Sequence, residues 1–191
     1  MNPVYHISKR TWNWLTRIRH RRGYGIHSPY AFNFVTGVVY ESGHYYADAE
    51  LKRYYNQSCE PQKLRLKDYR LLFRLANFQH PTQCRVVGYS LNSLAVHFMQ
   101  AACPHTHYST QASTANLIVC NNTWPTQAQQ IMNQLPTGAM LIVTQVAGTN
   151  RTAWQQLIKH PKAIITFNLH DFGIIINHPE LQQQHYIINY Y

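Results

Sequence analysis

C-R-V-V-G-Y-S-L-N-S-L-A-V-H-F-M-Q, residues Cys84 to Gln100, decides how this chain is read. Residues 84–87 read as a short buried strand and Gly88 as the turn that ends it. A helix follows, with Leu91, Leu94, Ala95, Phe98 and Met99 at helical spacing. Ser90 is placed to cap it, because a short side-chain oxygen can accept an amide hydrogen of the first turn. Strand, glycine turn and helix make half of a βαβ unit. In nucleotide-binding sheets a cofactor lies at this point, against the helix N-terminus. A strong fingerprint would carry three glycines, and this loop carries one. The same residues therefore also read as a packed strand-helix corner. The candidate cofactor contacts are Gly88 and Ser90, with Asn121 at the end of the next apolar run.

Working outward, residues 107–110 form a plausible second strand, and N-L-I-V-C at 116–120 is clearly strand-like. Only residues 111–115 lie between them, whereas a parallel crossover needs about a dozen residues. Either 107–110 is loop, or a short link carries the chain across the sheet. Helices are expected at 125–135 and 151–159, with strands at 139–144, 163–167 and 173–177. A last apolar segment runs through Tyr186, Ile187 and Ile188. This alternation argues an α/β sheet covered on both faces. The final strands are too close for helical crossovers, so they should be antiparallel at one edge. Upstream, residues 63–78 read as an amphipathic helix buried through Leu64, Leu71, Leu72, Leu75 and Phe78.

The N-terminal third is different in character. Residues 1–22 combine Trp12, Trp14, Leu15 and Ile18 with Arg17, Arg19, Arg21 and Arg22. Such a helix can lie on a membrane surface, grip phosphates, or cover the main domain with its tryptophans inward. G-Y-G-I-H-S-P-Y at 23–30 is an ordered turn, in which Ser28 and Pro29 suit a helix start. His27 beside that cap is the candidate catalytic histidine, although most such residues are structural. Tyr40, Tyr45, Tyr46, Tyr54 and Tyr55, interleaved with Lys52 and Arg53, resemble a platform for single-stranded nucleic acid. They can equally pack this region on its neighbour. His44 and Asp48 could bind a metal only with further ligands. Cys59, Glu60 and Pro61 read as a loop.

Bulk properties bound the rest. A chain of 191 residues suggests one domain with an appendage. We divide it into a basic, aromatic-rich helical cap (1–62) and a sheet domain (63–191). No run reaches the roughly 18 apolar residues of a membrane span, and the first twenty residues lack the apolar core of a signal peptide. Cys59, Cys84, Cys103 and Cys120 form no CxxC pair, which fits a reduced, cytoplasmic setting. Residues 1–74 hold thirteen Lys and Arg against five Asp and Glu. That basic region could meet nucleic acid, anionic lipid or an acidic protein, or be a solvated face.

Y-G-I-H-S-P-Y with its phenylalanine-rich helix resembles the N-terminal signature of a bacterial family common in Bacteroidetes. The family comprises class I S-adenosylmethionine-dependent methyltransferases. Y-R-L-L-F-R-L-A-N-F (69–78) resembles the helix before their first strand. W-Q-Q-L-I-K-H-P-K-A-I-I-T-F-N-L-H-D-F-G-I-I-I (154–176) resembles their last helix and edge hairpin. The resemblance implies a Rossmann-like methyltransferase sheet, here lacking one strand and its flanking helices between Gln111 and Ala115. It would stand behind an N-terminal helical cap.

The family's cofactor motifs are altered at each position that matches. Val87 stands where an acid precedes the first loop glycine, and Asn92 or Ser93 where a later glycine falls. Thr110 and Gln111 stand where an acid would hold the ribose. Asn121-Asn122 replaces Asp-Gly, and Thr144-Gln145 replaces a pair of aspartates. No Asp or Glu occurs between Asp68 and Asp171. A ribose is normally held by a carboxylate accepting from its hydroxyls. The expectation is therefore a methyltransferase-like protein acting through binding or structure, with no cofactor, or S-adenosylmethionine if any. The alternatives are an active methyltransferase and a basic nucleic-acid-binding module. Loss of a strand should also bare apolar sheet surface near 84–87 and 107–110, to be covered by the basic segment or by a second copy of the chain.

Overall fold

The computed structural model describes residues 23–60, 64–112 and 114–190. The helix expected over 1–22 lies outside them. Short runs, β-branched at the centre of the sheet, make the strands: β1 (Gln83–Val87), β2 (His107–Ser109), β3 (Leu117–Cys120), β4 (Met140–Thr144), β5 (Ile165–Asn168), β6 (Phe172–Ile176) and β7 (Gln184–Ile187). The helices are α1 (Pro29–Phe34), α2 (Asp48–Gln57), α3 (Leu66–Gln79), α4 (Leu94–Ala102), α5 (Ala128–Gln134) and α6 (Arg151–Leu157). Ser28 caps α1, its Oγ accepting from the Ala31 amide. A π-helical turn, Val35–Val39, continues α1 and is held by Arg74, whose guanidinium donates to the Val38 and Val39 carbonyls. α3 is built from good helix formers and stops at His80, which takes the left-handed C-terminal position (φ 44°).

The sheet order is β2-β1-β3-β4-β6-β5-β7. β1 to β4 are parallel, and β6 runs antiparallel to both β4 and β5. The expected antiparallel pair is therefore present as the β5–β6 hairpin, but β6 is inserted beside β4 and not left at the edge. β7 occupies that edge and pairs parallel with β5. Its seven-residue approach from β6 needs no helix because it crosses only β5.

The link between β2 and β3 resolves the other topological question. β2 pairs with the outer side of β1 and β3 with the inner side, so the link crosses one strand, a step of about 10 Å. β2 ends level with Arg85 and β3 begins level with Cys84, so almost no return along the strand is needed. The described residues of 110–116 contain no helix.

The two faces of the sheet are covered unequally. On the first, Cys84, Val86, Leu117, Val119, Met140, Ile142, Ile165 and Phe167 form one buried cluster with α1, α3 and α4. Ala31, Phe34 and Leu51 of the N-terminal helices belong to the same cluster. On the second face, α5 and α6 cover only the middle, where Ile118, Cys120, Leu141, Val143 and Ile175 meet Trp124, Ile131 and Trp154. Coverage of both faces thus holds for the centre alone. The apolar surface expected near 84–87 and 107–110 is absent for a related reason. Gln83, Arg85, His107 and Ser109 stand on the uncovered side, so the bare face is polar.

Ser93, not Ser90, caps α4, accepting from the Val96 amide at 3.5 Å. The helix therefore begins at Leu94, and Leu91 is left in a turn, 43% exposed. Phe78 is also more open than expected, at 40%, because it meets only Phe34 edge-on at the rim of the cluster.

Candidate functional site

The turn after β1 and the loop after β3 enclose a cavity of about 400 Å³ at the carboxyl ends of the parallel strands. Gly88, Tyr89, Ser90, Asn121, Asn122, Thr144, Gln145 and Glu60 are among its lining residues. The structure thus brings Gly88, Ser90 and Asn121 together. His27 is elsewhere: it is exposed in the loop before α1, and α1 packs on β5 through Phe34 stacked on Phe167 at 4.6 Å.

Gly88 has φ 74°, a conformation that favours glycine. The absence of a side chain serves an internal contact, since a Cβ there would collide with the Asn121 side chain. The Asn121 amide donates to the Gly88 carbonyl, and its Oδ1 accepts from the Thr123 amide (2.9 Å) and hydroxyl (2.7 Å). Asn121 therefore ties the β3 loop to the β1 turn and uses its polar atoms in doing so. Ser90 shapes the turn, accepting from the Asn92 amide at 3.3 Å.

Glu60 is the carboxylate that the sequence reading missed. One oxygen accepts from the Leu94 amide (2.5 Å), the first amide of α4, and the other from the Tyr69 hydroxyl (3.2 Å). The positive end of a helix favours this placement of a negative charge. Burial, with Glu60 adding a smaller effect, pushes the Tyr69 hydroxyl far up, so it stays a proton donor. Tyr89 is likewise pushed up to about 12, first by burial, against a hydrogen bond with Thr144 that lowers it. No local pattern announces Glu60: its partner Leu94 is 34 positions away.

Further along the same strand ends, Arg65 joins Asp68 (2.7 Å) to Asp171 (2.6 Å), and His170 meets Asp171 at 3.1 Å. The Asp171 carbonyl accepts from the Gln145 amide at 2.6 Å. Trp124, fully buried, donates to the Thr144 carbonyl at 2.9 Å. Thr110 and Gln111, at the end of β2, are exposed.

The tyrosines of the N-terminal region are largely used in packing. Tyr54 stacks on His97 at 3.8 Å, Tyr45 meets Phe73 edge-on, and Tyr55 donates to the Leu64 carbonyl. Tyr46 is 86% exposed, yet its hydroxyl donates to the Ala101 carbonyl. His44 and Asp48 pair at 3.7 Å, with Arg70 on the other Asp48 oxygen at 3.2 Å. Among the described residues no group of three or more His, Cys, Asp or Glu could hold a metal ion. No helix of the described residues is long and apolar enough to cross a membrane. Cys59, Cys84, Cys103 and Cys120 are free thiols, and burial raises the last three.

No family model matches the chain, and no curated protein does. Among the solved structures it is similar to are two. One is cofactor-bound Rv0187 from MTB: 13% identity, TM-score 0.49, over 77% of this chain and 94% of that one. The other is the O-methyltransferase from Bacillus cereus in complex with SAH: 8% identity, TM-score 0.48, over 75% and 96%.

Proposed function

We propose that this chain is a methyltransferase-like protein that acts through binding or structure and not through methyl transfer. In this reading residues 63–191 are a shortened methyltransferase sheet that lacks one strand with its flanking helices. Residues 1–62 are its cap. The observation that carries the proposal is the Asn121 side chain lying on Gly88. A loop glycine in a nucleotide-binding turn lets the backbone approach the cofactor; here the group that approaches is part of the chain itself.

Three further features support it. Glu60 takes the first amide of α4. The Asn121 amide is spent on Gly88 and Thr123. The end of β2 offers Thr110 and Gln111 where a ribose wants a carboxylate. These residues do not fit S-adenosylmethionine. Each ribose hydroxyl left without an acceptor forfeits about 1–3 kcal/mol, and two such losses weaken binding by one to several orders of magnitude.

Calorimetric titration with S-adenosylmethionine and with its demethylated product tests this. The expected result is no saturable heat. One-to-one binding in the low micromolar range would overturn the proposal. A second reading has one observation in its favour: the cavity does hold a carboxylate, Glu60. If Glu60 were a ribose acceptor in an active enzyme, the chain would bind and Glu60→Gln would abolish the binding. The partners open to a binding role, a second copy or a nucleic acid, separate by light scattering and by salt-dependent binding of single-stranded RNA.

A further inference from the structure

We propose that the chain has a second ligand site, for a small anion with an apolar body, between α6 and the carboxyl ends of β4, β5 and β7. A cavity of about 530 Å³ lies there, within the range of small-molecule sites, roughly 300–1,000 Å³. Its position follows from the topology. Val146 follows β4, His170 follows β5, and Ile187 ends β7, so the cavity stands outside strand ends, where α/β sheets bind ligands. It is separate from the crevice at Gly88. Thr144 and Gln145 line that crevice, and the chain from Val146 onward lines this cavity. The inference therefore stands whether or not the crevice takes a cofactor.

The chemistry of the lining selects the ligand. Arg151 is exposed, and its guanidinium makes no ion pair or hydrogen bond to a described residue. Trp154 is 3% exposed, and its indole N–H has no protein acceptor among the described residues. His170 is fixed at the rim by a left-handed backbone (φ 72°), by its amide on Asn168 Oδ1 (3.0 Å) and by its ring on Asp171 (3.1 Å). Strained non-glycine residues of this kind gather at ligand sites. No carboxylate lines the cavity. Besides the neutral amides of Gln155 and Asn168, its polar groups on offer are a cation and a donor, which match a carboxylate or a phosphate; a guanidinium binds either with two parallel hydrogen bonds. The ring of Trp154 lies against Gly173, where a Cβ would strike it, and lines the cavity together with Ile158 and Ile187. Ile187 is 48% exposed on this uncovered flank of the sheet and can take the apolar body.

The test uses the full chain, labelled with ¹⁵N and assigned at its tryptophan indoles. Phenyl phosphate and 3-phenylpropionate are titrated, with 3-phenylpropan-1-ol as the uncharged control. The expected result is a saturable shift of the Trp154 indole resonance with both anions and no shift of Trp124, which does not line this cavity. The alcohol should bind at least about tenfold more weakly, and Arg151→Gln should weaken both anions by about the same factor. Arg151 is exposed, so its replacement leaves the core intact. No Trp154 shift up to roughly 10 mM anion, equal binding of the alcohol, undiminished binding by Arg151→Gln, or a shift at Trp124 alone would each overturn the proposal.

Discussion

The centre of the sheet and its two flanks solve the same problem in opposite ways. β3 and β4 are buried at every position, because α3 and α4 cover one face and α5 and α6 the other. β2 and, at the far side, β7 are covered on the first face alone, and β1 and β5 each keep one second-face position buried, Val87 and Thr166. Their sequences alternate accordingly: Gln83, Arg85, Thr166 and Asn168 point away from the main cluster, and Cys84, Val86, Ile165 and Phe167 point into it. Strands buried on both faces read as continuous apolar runs and one-sided strands read as alternation. A parallel strand that loses its second helix layer can thus be kept by changing every other residue, without rebuilding the first layer.

The largest effect is expected at the centre. Leu141→Ala removes a side chain from the second face of β4, where α5 and α6 pack, and should cost about 2–5 kcal/mol in urea unfolding. Arg85→Leu, on the bare face of β1, should cost under about 1 kcal/mol. Arg85 gives one bond, to Gln134 (2.7 Å), and its Nε is buried without a partner. Equal losses at the two positions would mean that the flank is covered in solution and would break the comparison.

Gly173→Ala comes next. The Trp154 ring occupies the space of any Cβ there, so the substitution must push α6 off β6. A loss of about 1–3 kcal/mol is expected. The double variant Gly173→Ala with Trp154→Leu should recover part of it, since the two positions share one contact. No recovery would show that the glycine is needed for the strand and not for the indole.

Part of this division was legible in the sequence. N-L-I-V-C and residues 139–144 read as strands, whereas 84–87 reads as buried and the polar side carried by Gln83 and Arg85 goes unread. The expectation of an apolar bare face failed because it followed an assumed strand loss and not the residues Gln83 and Arg85 themselves. The order of the last three strands was not legible. Nothing local says that β6 inserts between β4 and β5; the gain comes from burying F-G-I-I-I on both sides, a long-range term. The cap of α4 was misplaced for a small reason: Ser90 and Ser93 are both capable, and Leu91 looked like a core residue. Gly88, Ser90 and Asn121, named from the sequence as candidate cofactor contacts, line one cavity. Glu60 was not found, because a carboxylate that crosses 34 positions to reach a helix end leaves no spacing to count. The opening of the crevice to ligand can be sharpened by Asn121→Ala. It should leave the fold intact at a cost of about 1–2 kcal/mol for the lost bonds, and still give no binding of S-adenosylmethionine, since the ribose lacks its acid.

The smallest effect lies on the β5–β7 flank. Thr166 Oγ1, buried, and His185 Nδ1, at the exposed edge strand, share a hydrogen bond of 2.9 Å across the parallel pair. Burial pushes the His185 imidazole below its ordinary value. The unfolded chain therefore binds a proton at higher pH, near 6.5, than the folded chain does. Between the lowered folded value and about 6.5 the unfolded state holds more protons, so stability rises with pH through that window and falls on acidification. His185→Gln should flatten this part of the stability curve, with little change at pH 8. Thr166→Val should keep the slope, because burial and not the hydrogen bond lowers the group. The check is urea unfolding at pH 5, 6, 7 and 8 for the three chains. A slope unchanged by His185→Gln would assign the acid sensitivity to another histidine, His160, which burial and Lys162 also lower. The flank would then be indifferent to its own polar residues, against the comparison drawn between it and the centre.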